Sequence, residues 1–164
     1  MKTIKSLVLL CCMSILTFLF FTSCVSLSSG SGYEKYPDKN TTYSIEINDV
    51  TVSNDKVLDT DIADQIYAIV ESILGSTEQE NTIPLQLDIE VIQRSFFYKI
   101  EQKNSIYVSY YLYDSDNLVM QKGFYIETAE TIISSNTQYK ISKRITKEIQ
   151  RYIKKSSKLY KEKK

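Results

Sequence analysis

The 164-residue sequence contains no histidine and no tryptophan, and it has only three cysteines, four glycines and two prolines. Without histidine, Ser-His-Asp and Cys-His catalysis, His-ligated zinc and an imidazole pH switch are all excluded. No glycine-rich phosphate loop is present either, which removes the common nucleotide-binding motifs. Enzymes that rely on Asp, Glu, Lys or Tyr remain open.

The composition is that of one globular domain, with 43% hydrophobic and 24% charged residues. The net charge of zero conceals two unlike parts. Residues 24–137 carry 7 basic and 18 acidic side chains, whereas residues 138–164 carry 11 basic and 2 acidic ones. The sequence therefore predicts an acidic body followed by a basic C-terminal segment.

The N-terminus has the layout of an export signal. Lys2 and Lys5 precede an apolar run over residues 7–21, and a Ser/Gly-rich stretch follows. A run of 15 residues is shorter than the roughly 20 that a helix needs to cross a bilayer. We therefore expect residues 1–23 to be a signal peptide.

The end of this run, Phe21-Thr22-Ser23-Cys24, resembles the lipobox of bacterial lipoproteins, in which a small residue directly precedes a cysteine. The resemblance implies that Cys24 is lipidated and becomes the first residue of the mature protein. In lipoproteins of diderm bacteria, an aspartate after the cysteine favours the inner membrane. Val25 stands there instead, so the resemblance implies a lipid anchor in the outer membrane, with the protein facing the periplasm.

A mature chain that begins at Cys24 has no second cysteine, because Cys11 and Cys12 lie within the signal. An internal disulfide, a thiolate nucleophile and a cysteine metal site are then unavailable. Residues 25–42 are rich in Ser, Gly and turn formers, which predicts a flexible tether with a reach of roughly 25 Å. The expected organisation is a signal at 1–23, a lipidated tether at 24–42, a domain at 43–158 and a basic tail at 159–164.

Four segments alternate apolar and polar residues as half-buried strands do, namely residues 43–52, 85–92, 104–113 and 118–128. Around Arg94 the alternation changes parity, which predicts a bulge or a bend. Gly123 in the fourth segment indicates a weak point or a close approach of another chain segment.

Two further segments have helical periodicity. In the first, isoleucines, valine and leucine between Ile62 and Leu74 share one face, with acidic N-terminal residues before it and Gly75 after it. The second begins near Asn136 and buries a stripe from Ile141 to Ile153. The order β-α-β-β-β-α predicts an α+β two-layer sandwich, in which two helices cover one face of a four-stranded mixed sheet.

Several carboxylate clusters have the spacing of possible sites. Residues 59–64 resemble the start of an EF-hand loop, but Val70 stands where the twelfth-position carboxylate is needed, so helix N-terminal charge is the better interpretation. Asp114 and Asp116 are interpreted as turn residues. Asp88 and Glu90 share the outward side of a strand and form the alternative hypothesis, a small-molecule-binding or hydrolytic site.

The candidate partner-binding surfaces are aromatic and basic. Tyr107, Tyr111 and Tyr113 share the sheet face that the helices do not need, and exposed tyrosines often mark binding surfaces; equally, tyrosine is simply a good strand former. On the second helix the basic residues Lys140, Lys143, Lys147 and Arg151 suit an anionic lipid or polymer, or are a solvated helix face.

The lipobox, the size and the order of elements resemble small outer-membrane lipoproteins that serve as assembly or accessory subunits, such as the lipopolysaccharide-assembly lipoprotein. Because the sequence offers no catalytic constellation and the predicted export removes nucleic acid from the ordinary partners, we expect a non-enzymatic protein without cofactor, metal or nucleic acid. It would be held at the membrane by its N-terminal lipid and bind an envelope protein or polymer.

Overall fold

The computed structural model describes residues 28–29, 32–35, 37, 41–55, 57–75, 82–98 and 101–161. The predicted signal peptide and Cys24 lie outside these residues. No helix within the described ranges is both long and apolar enough to span a bilayer.

The described chain forms seven strands and two helices: β1 (Ser28–Ser29), β2 (Tyr33–Glu34), β3 (Tyr43–Asn54), β4 (Val57–Leu58), α1 (Thr60–Leu74), β5 (Ile83–Tyr98), β6 (Glu101–Asp114), β7 (Asn117–Thr128) and α2 (Ser135–Lys161). The α+β class is confirmed, and the four predicted strands are the four long ones. The prediction of a four-stranded sheet is wrong, because three two-residue strands extend it at both edges. Segments this short carry no periodicity from which they could be predicted.

The sheet is mixed, with a path of strands in the order β1-β7-β6-β5-β3-β4 and with β2 also paired to β7. β3 and β5 are parallel, and the chain between them contains α1. The other pairings are antiparallel. This is the arrangement that a crossover through the first helix predicts.

The residues that bound α1 act as predicted. The Asp59 side chain accepts a hydrogen bond from the backbone N–H of Ile62 at 3.1 Å, which is an N-cap. At the other end Gly75 has φ +69°, a backbone conformation that residues other than glycine rarely adopt.

Both helices pack on one side of the sheet, which we call the inner face. Its central residues are aliphatic side chains of β5 and alternate residues of β6, and they are almost completely buried: Leu85, Leu87, Ile89, Val91, Ile106, Val108, Tyr110 and Leu112. One apolar stripe from each helix joins the same core: Ile62, Ile66 and Val70 from α1, and Ile141, Ile145, Ile149 and Tyr152 from α2. The two-residue period of the strands and the 3.6-residue period of the helices therefore identify the residues that face the core, as expected.

The prediction of a bulge near Arg94 is wrong. β5 pairs with β6 without a register shift from Leu85 to Tyr98. The parity of apolar residues changes there because Phe96 is exposed rather than turned to the core. Register shifts lie elsewhere in the described sheet, in β3 between Ile47 and Asp49 and in the β6–β7 pairing at Leu112 and Tyr113. The shift in β3 places the valines that follow it on the inner face.

The N-terminal segment departs from the predicted tether. Within residues 25–42, β1 and β2 pair with β7, and Lys35 N–H donates to the Val119 carbonyl at 2.8 Å. Gly32 permits this approach, since a Cβ there would lie 2.3 Å from the Gln121 carbonyl oxygen. Gly123 marks a close approach as well, with its Cβ position 2.9 Å from the Val108 carbonyl oxygen.

Candidate functional site

The sheet face opposite the helices, which we call the outer face, is the principal candidate surface. Residues of four strands point to it: Glu46, Asp49, Asp88, Glu90, Arg94, Tyr107, Tyr111, Tyr113, Tyr125 and Glu127. Within the described part of the chain, neither helix lies over this face. It is a broad surface on which side chains stand in rows about 5 Å apart.

The predicted tyrosines are brought together on the outer face by the two-residue period of β6. Tyr107 is 47% exposed, and Tyr111 and Tyr113 are half-buried. Tyr125 of β7 joins them, with its ring centroid 6.4 Å from that of Tyr107. The Arg94 guanidinium lies 5.9 Å from the Tyr107 centroid, which is within cation–π range. The alternating pattern of the fourth predicted strand could have identified Tyr125.

Carboxylates lie directly beside these rings. Asp88 pairs in register with Tyr111 on one side and with Asp49 on the other. The Asn48 amide donates to Asp88 Oδ1 at 2.8 Å, and the Thr51 hydroxyl donates to Asp49 Oδ2 at 2.8 Å. These hydrogen bonds fix the orientation of two acidic groups without neutralising their charge.

Asp88 and Glu90, the two carboxylates of the alternative hydrolytic or small-molecule-binding hypothesis, lie on the outer face as predicted. Asp88 is half-buried and Glu90 is exposed. A general acid of the kind that hydrolases use is normally enclosed in a site that excludes water. In the described structure the two carboxylates lie on a sheet surface that no helix encloses.

The other carboxylate clusters have structural roles. Asp59 caps α1, and Asp61 lies in its first turn. Asp114 and Asp116 flank Ser115, whose φ of +54° marks the tight turn between β6 and β7. Both interpretations from the sequence agree with these positions.

The predicted basic residues form a second surface along α2, which we call the basic stripe: Lys140, Lys143, Lys147 and Arg151. All four are exposed and follow a helical spacing of three and four residues. Lys143 Nζ also lies 5.6 Å from the ring centroid of Tyr139. The stripe is on the opposite side of α2 from its buried isoleucines.

A third group, of five charged side chains and one tyrosine, joins α2 to β2, β6 and β7, and we call it the edge cluster: Glu34, Tyr110, Lys122, Arg144, Glu148 and Lys155. Lys122 bridges the two glutamates, at 2.6 Å from Glu34 Oε2 and 3.7 Å from Glu148 Oε2. Lys155 also donates to Glu34. The sequence alone does not predict this group, because its members come from four separate elements.

Protonation in the edge cluster is shifted by burial and charge. Burial alone would raise the pKa of Glu34, but the hydrogen bonds and positive charges of Lys122 and Lys155 lower it overall. The Tyr110 hydroxyl donates to Glu148 Oε2 at 2.7 Å. Burial and this contact with a carboxylate raise the pKa of Tyr110 far above its ordinary value, so the phenol stays protonated.

No protein-family model matches the chain, and no curated protein matches its sequence. A PelC dodecamer from Paraburkholderia phytofirmans is similar in structure at a TM-score of 0.39 and 11% identity, over 74% of this chain and 95% of that one. An uncharacterized protein is similar at a TM-score of 0.29 and 14% identity, over 80% and 97%. At these values neither likeness assigns a family or a function.

Proposed function

We propose that this chain is a lipid-anchored accessory protein of the bacterial cell envelope. It catalyses no reaction and binds a partner through the outer face. The observation that carries the proposal is the row of tyrosines on β6, which both helices leave uncovered while they bury the opposite face. The anchor is Cys24, proposed from the lipobox-like sequence, and the proposed location is the periplasmic side of the outer membrane.

The composition of the outer face supports binding rather than catalysis. Tyrosine offers a large rigid ring and a hydroxyl at small entropic cost, and it is enriched where protein interfaces concentrate their binding energy. The carboxylates beside the rings, such as Asp49, Asp88 and Glu90, give the face a negative potential. The complementary partner is therefore an envelope protein or polymer with basic or hydrogen-bond-donating groups.

The test is a crosslinking pulldown with the lipidated chain in which Tyr107, Tyr111 and Tyr113 are replaced together by serine. We expect this variant to lose partner capture while it retains the circular dichroism spectrum of the native protein. Tyr139→Ser is the matched control, because Tyr139 is 48% exposed against 47% for Tyr107 but lies on α2. Capture that persists in the triple variant contradicts the proposal.

The basic stripe supplies the competing surface in the same experiment. A variant with Lys140, Lys143 and Lys147 changed to glutamine removes three positive charges from α2 and leaves the outer face intact. We expect it to capture the partner normally. Loss of capture here, together with retention in the tyrosine variant, would place binding on the helix instead.

The anchor is tested separately. Chains with Cys24 and with Cys24→Ala are expressed with a labelled fatty acid, and the label is measured on the purified protein. We expect label only where Cys24 is present. Label on the Cys24→Ala chain contradicts the proposed site of attachment.

A further inference from the structure

The edge of the sheet at β3 is open over most of its length. β3 pairs with β5 along one side, whereas on the other side β4 pairs with it only at Ser53 and Asn54. The Asp59 N–H adds one bond, to the Val52 carbonyl at 2.8 Å, and the chain then leaves the edge as α1. Within the described chain no strand pairs along this side of residues 44–51, which we call the open edge.

Two hydrogen bonds show where the backbone groups of the open edge point. The Thr42 carbonyl accepts from the Ile83 N–H of β5 at 2.9 Å, whereas the Val52 carbonyl is directed away from β5, to Asp59. The direction of these groups alternates along a strand, and the register shift in β3 exchanges the parity once. The N–H and C=O groups that point away from β5 therefore belong to three residues of the open edge: Ile45, Ile47 and Val50.

The side chains of the same three residues are incompletely covered. They lie on the inner face and pair in register with Leu85, Leu87 and Ile89 of β5, which are at most 2% exposed. The three edge side chains pack against the core but are only partly buried. Because α1 packs against β3 on this face, an additional strand would place every second side chain against them, beside the helix.

The outer side of the open edge is acidic. Glu46 and Asp49 point to the outer face, with Asp88 and Glu90 behind them on β5. β3 contains no lysine or arginine, and β5 contains none before Arg94. Lysine or arginine at the outer positions of an added strand is therefore complementary. An antiparallel second copy of β3 would instead bring the acidic side chains of two copies together, and like charges opposite each other destabilise pairing.

We propose that the open edge binds an extended segment of a partner protein as an additional antiparallel strand, with apolar side chains at alternate positions and lysine or arginine between them. The main chain of the segment bonds to Ile45, Ile47 and Val50, and its apolar side chains cover the inner face beside α1. Strand addition of this kind takes its affinity from main-chain hydrogen bonds and its specificity from alternate side chains.

The neighbouring strand indicates the direction and length of the segment. β4 is antiparallel to β3 on the same edge. The register shift in β3 interrupts the edge, so a short segment fits it better than a long flat strand. This surface is additional to the outer face and depends on neither the tyrosines nor the proposed anchor.

The test uses a fluorescein-labelled octapeptide of alternating valine and lysine, and its binding to the full chain in nonionic detergent is measured by fluorescence anisotropy. Two further peptides carry N-methyl groups on all valines or on all lysines. In the antiparallel pair the valines stand opposite Ile45 and Ile47 and donate to the open edge. We expect N-methylation of the valines to weaken binding by at least about tenfold, and N-methylation of the lysines to have little effect. No binding of the unmethylated peptide, or any other order of affinities, contradicts the proposal.

Charge reversal on the protein tests the expected preference for basic side chains. Glu46→Lys should weaken binding of the valine–lysine peptide by about fivefold and strengthen binding of the corresponding valine–glutamate peptide. Glu127→Lys is the matched control, because Glu127 is also an exposed glutamate of the outer face but lies on β7. Equal effects of the two variants contradict binding at the open edge.

Hydrogen exchange measured by NMR locates the bound peptide. In the free chain we expect fast exchange of the backbone amides of Ile45, Ile47 and Val50, and slow exchange of those of Leu87 and Ile89 in β5. The peptide should slow exchange at the three edge amides. Slow exchange there in the free chain would show that the edge is already covered, and protection elsewhere in the complex would place the peptide on another surface; either result overturns the proposal.

Discussion

Glu130 shows how a single side chain organises the loop that leads into α2. Its carboxylate accepts hydrogen bonds from the hydroxyls of Ser134 and Thr137, each at 3.0 Å, and from the Ser134 backbone N–H at 3.4 Å. Burial raises its pKa, but these hydrogen bonds and the charge of Lys140 together lower the pKa overall. A negative charge at this position also stabilises the N-terminus of the helix.

Glu130→Gln is therefore expected to lower the free energy of unfolding by about 1 kcal/mol at neutral pH. Because the pKa of Glu130 is lower in the folded state, this stabilisation is complete above its ordinary pKa of 4.5 and is lost as the pH falls through the folded value. Urea unfolding at pH 7 and pH 3 measures the effect. Glu127→Gln, an exposed control on β7, should show no such difference; a loss for Glu130→Gln that persists at pH 3 contradicts this account.

Tyr110 and Tyr111 allow a matched comparison of the two faces of the sheet. Tyr110→Phe removes the donor to Glu148 from a side chain that is almost fully buried, and we expect it to cost about 1–2 kcal/mol of unfolding free energy. Tyr111→Phe changes the same group on the outer face and should stay within about 0.5 kcal/mol of the native protein. Chemical denaturation measures both, and equal effects would contradict the assigned role of the hydroxyl.

At the level of elements, the sequence predicts the structure wherever an element is long enough to show a period. The alternation from Ile106 to Tyr113 places alternate residues on opposite faces of β6, and the isoleucines from Ile141 to Ile149 identify the buried side of α2. Two-residue strands such as β1 and β4 show no period, and they form because backbone groups at a sheet edge accept a partner. The exposed Phe96 misled the prediction of a bulge, since parity was taken as a sign of burial.

The candidate surfaces also contain some features that periodicity predicts and others that it does not. The outer-face position of Tyr107 follows from strand periodicity alone, as does the exposure of the basic stripe. Its neighbours Arg94 and Tyr125 come from adjacent strands, so their contacts depend on a register that the sequence does not specify. The edge cluster depends on still more distant pairings and lies beyond prediction from one sequence.

The paired N-terminal segment yields a prediction for β2. Glu34→Ala removes the carboxylate that Lys122 and Lys155 share. We therefore expect faster hydrogen exchange of the backbone amides at positions 34 and 35, with little change in the free energy of global unfolding. Exchange measured by mass spectrometry checks this. Glu46→Ala on β3 is the control and should leave the segment protected, and unchanged exchange in Glu34→Ala would show that strand pairing alone holds it.

For the whole molecule, the decisive feature is the separation of charge between two surfaces. The outer face combines carboxylates with tyrosines, and the basic stripe lies on the other side of the sandwich. If carboxylates such as Asp88 contribute to partner capture, the pulldown yield should fall as salt rises from 50 to 500 mM, roughly as the Debye length shortens from about 14 Å to about 4 Å. A yield independent of salt would assign binding to the tyrosines alone.

The measurement that tests the central claim most directly is photocrosslinking in living cells. A photoreactive phenylalanine analogue replaces Tyr107 on the outer face or Tyr139 on α2, and the lipidated protein is irradiated in the envelope. The account predicts a discrete adduct with an envelope partner from position 107 and none from position 139. An adduct from position 139 with none from position 107 would contradict it.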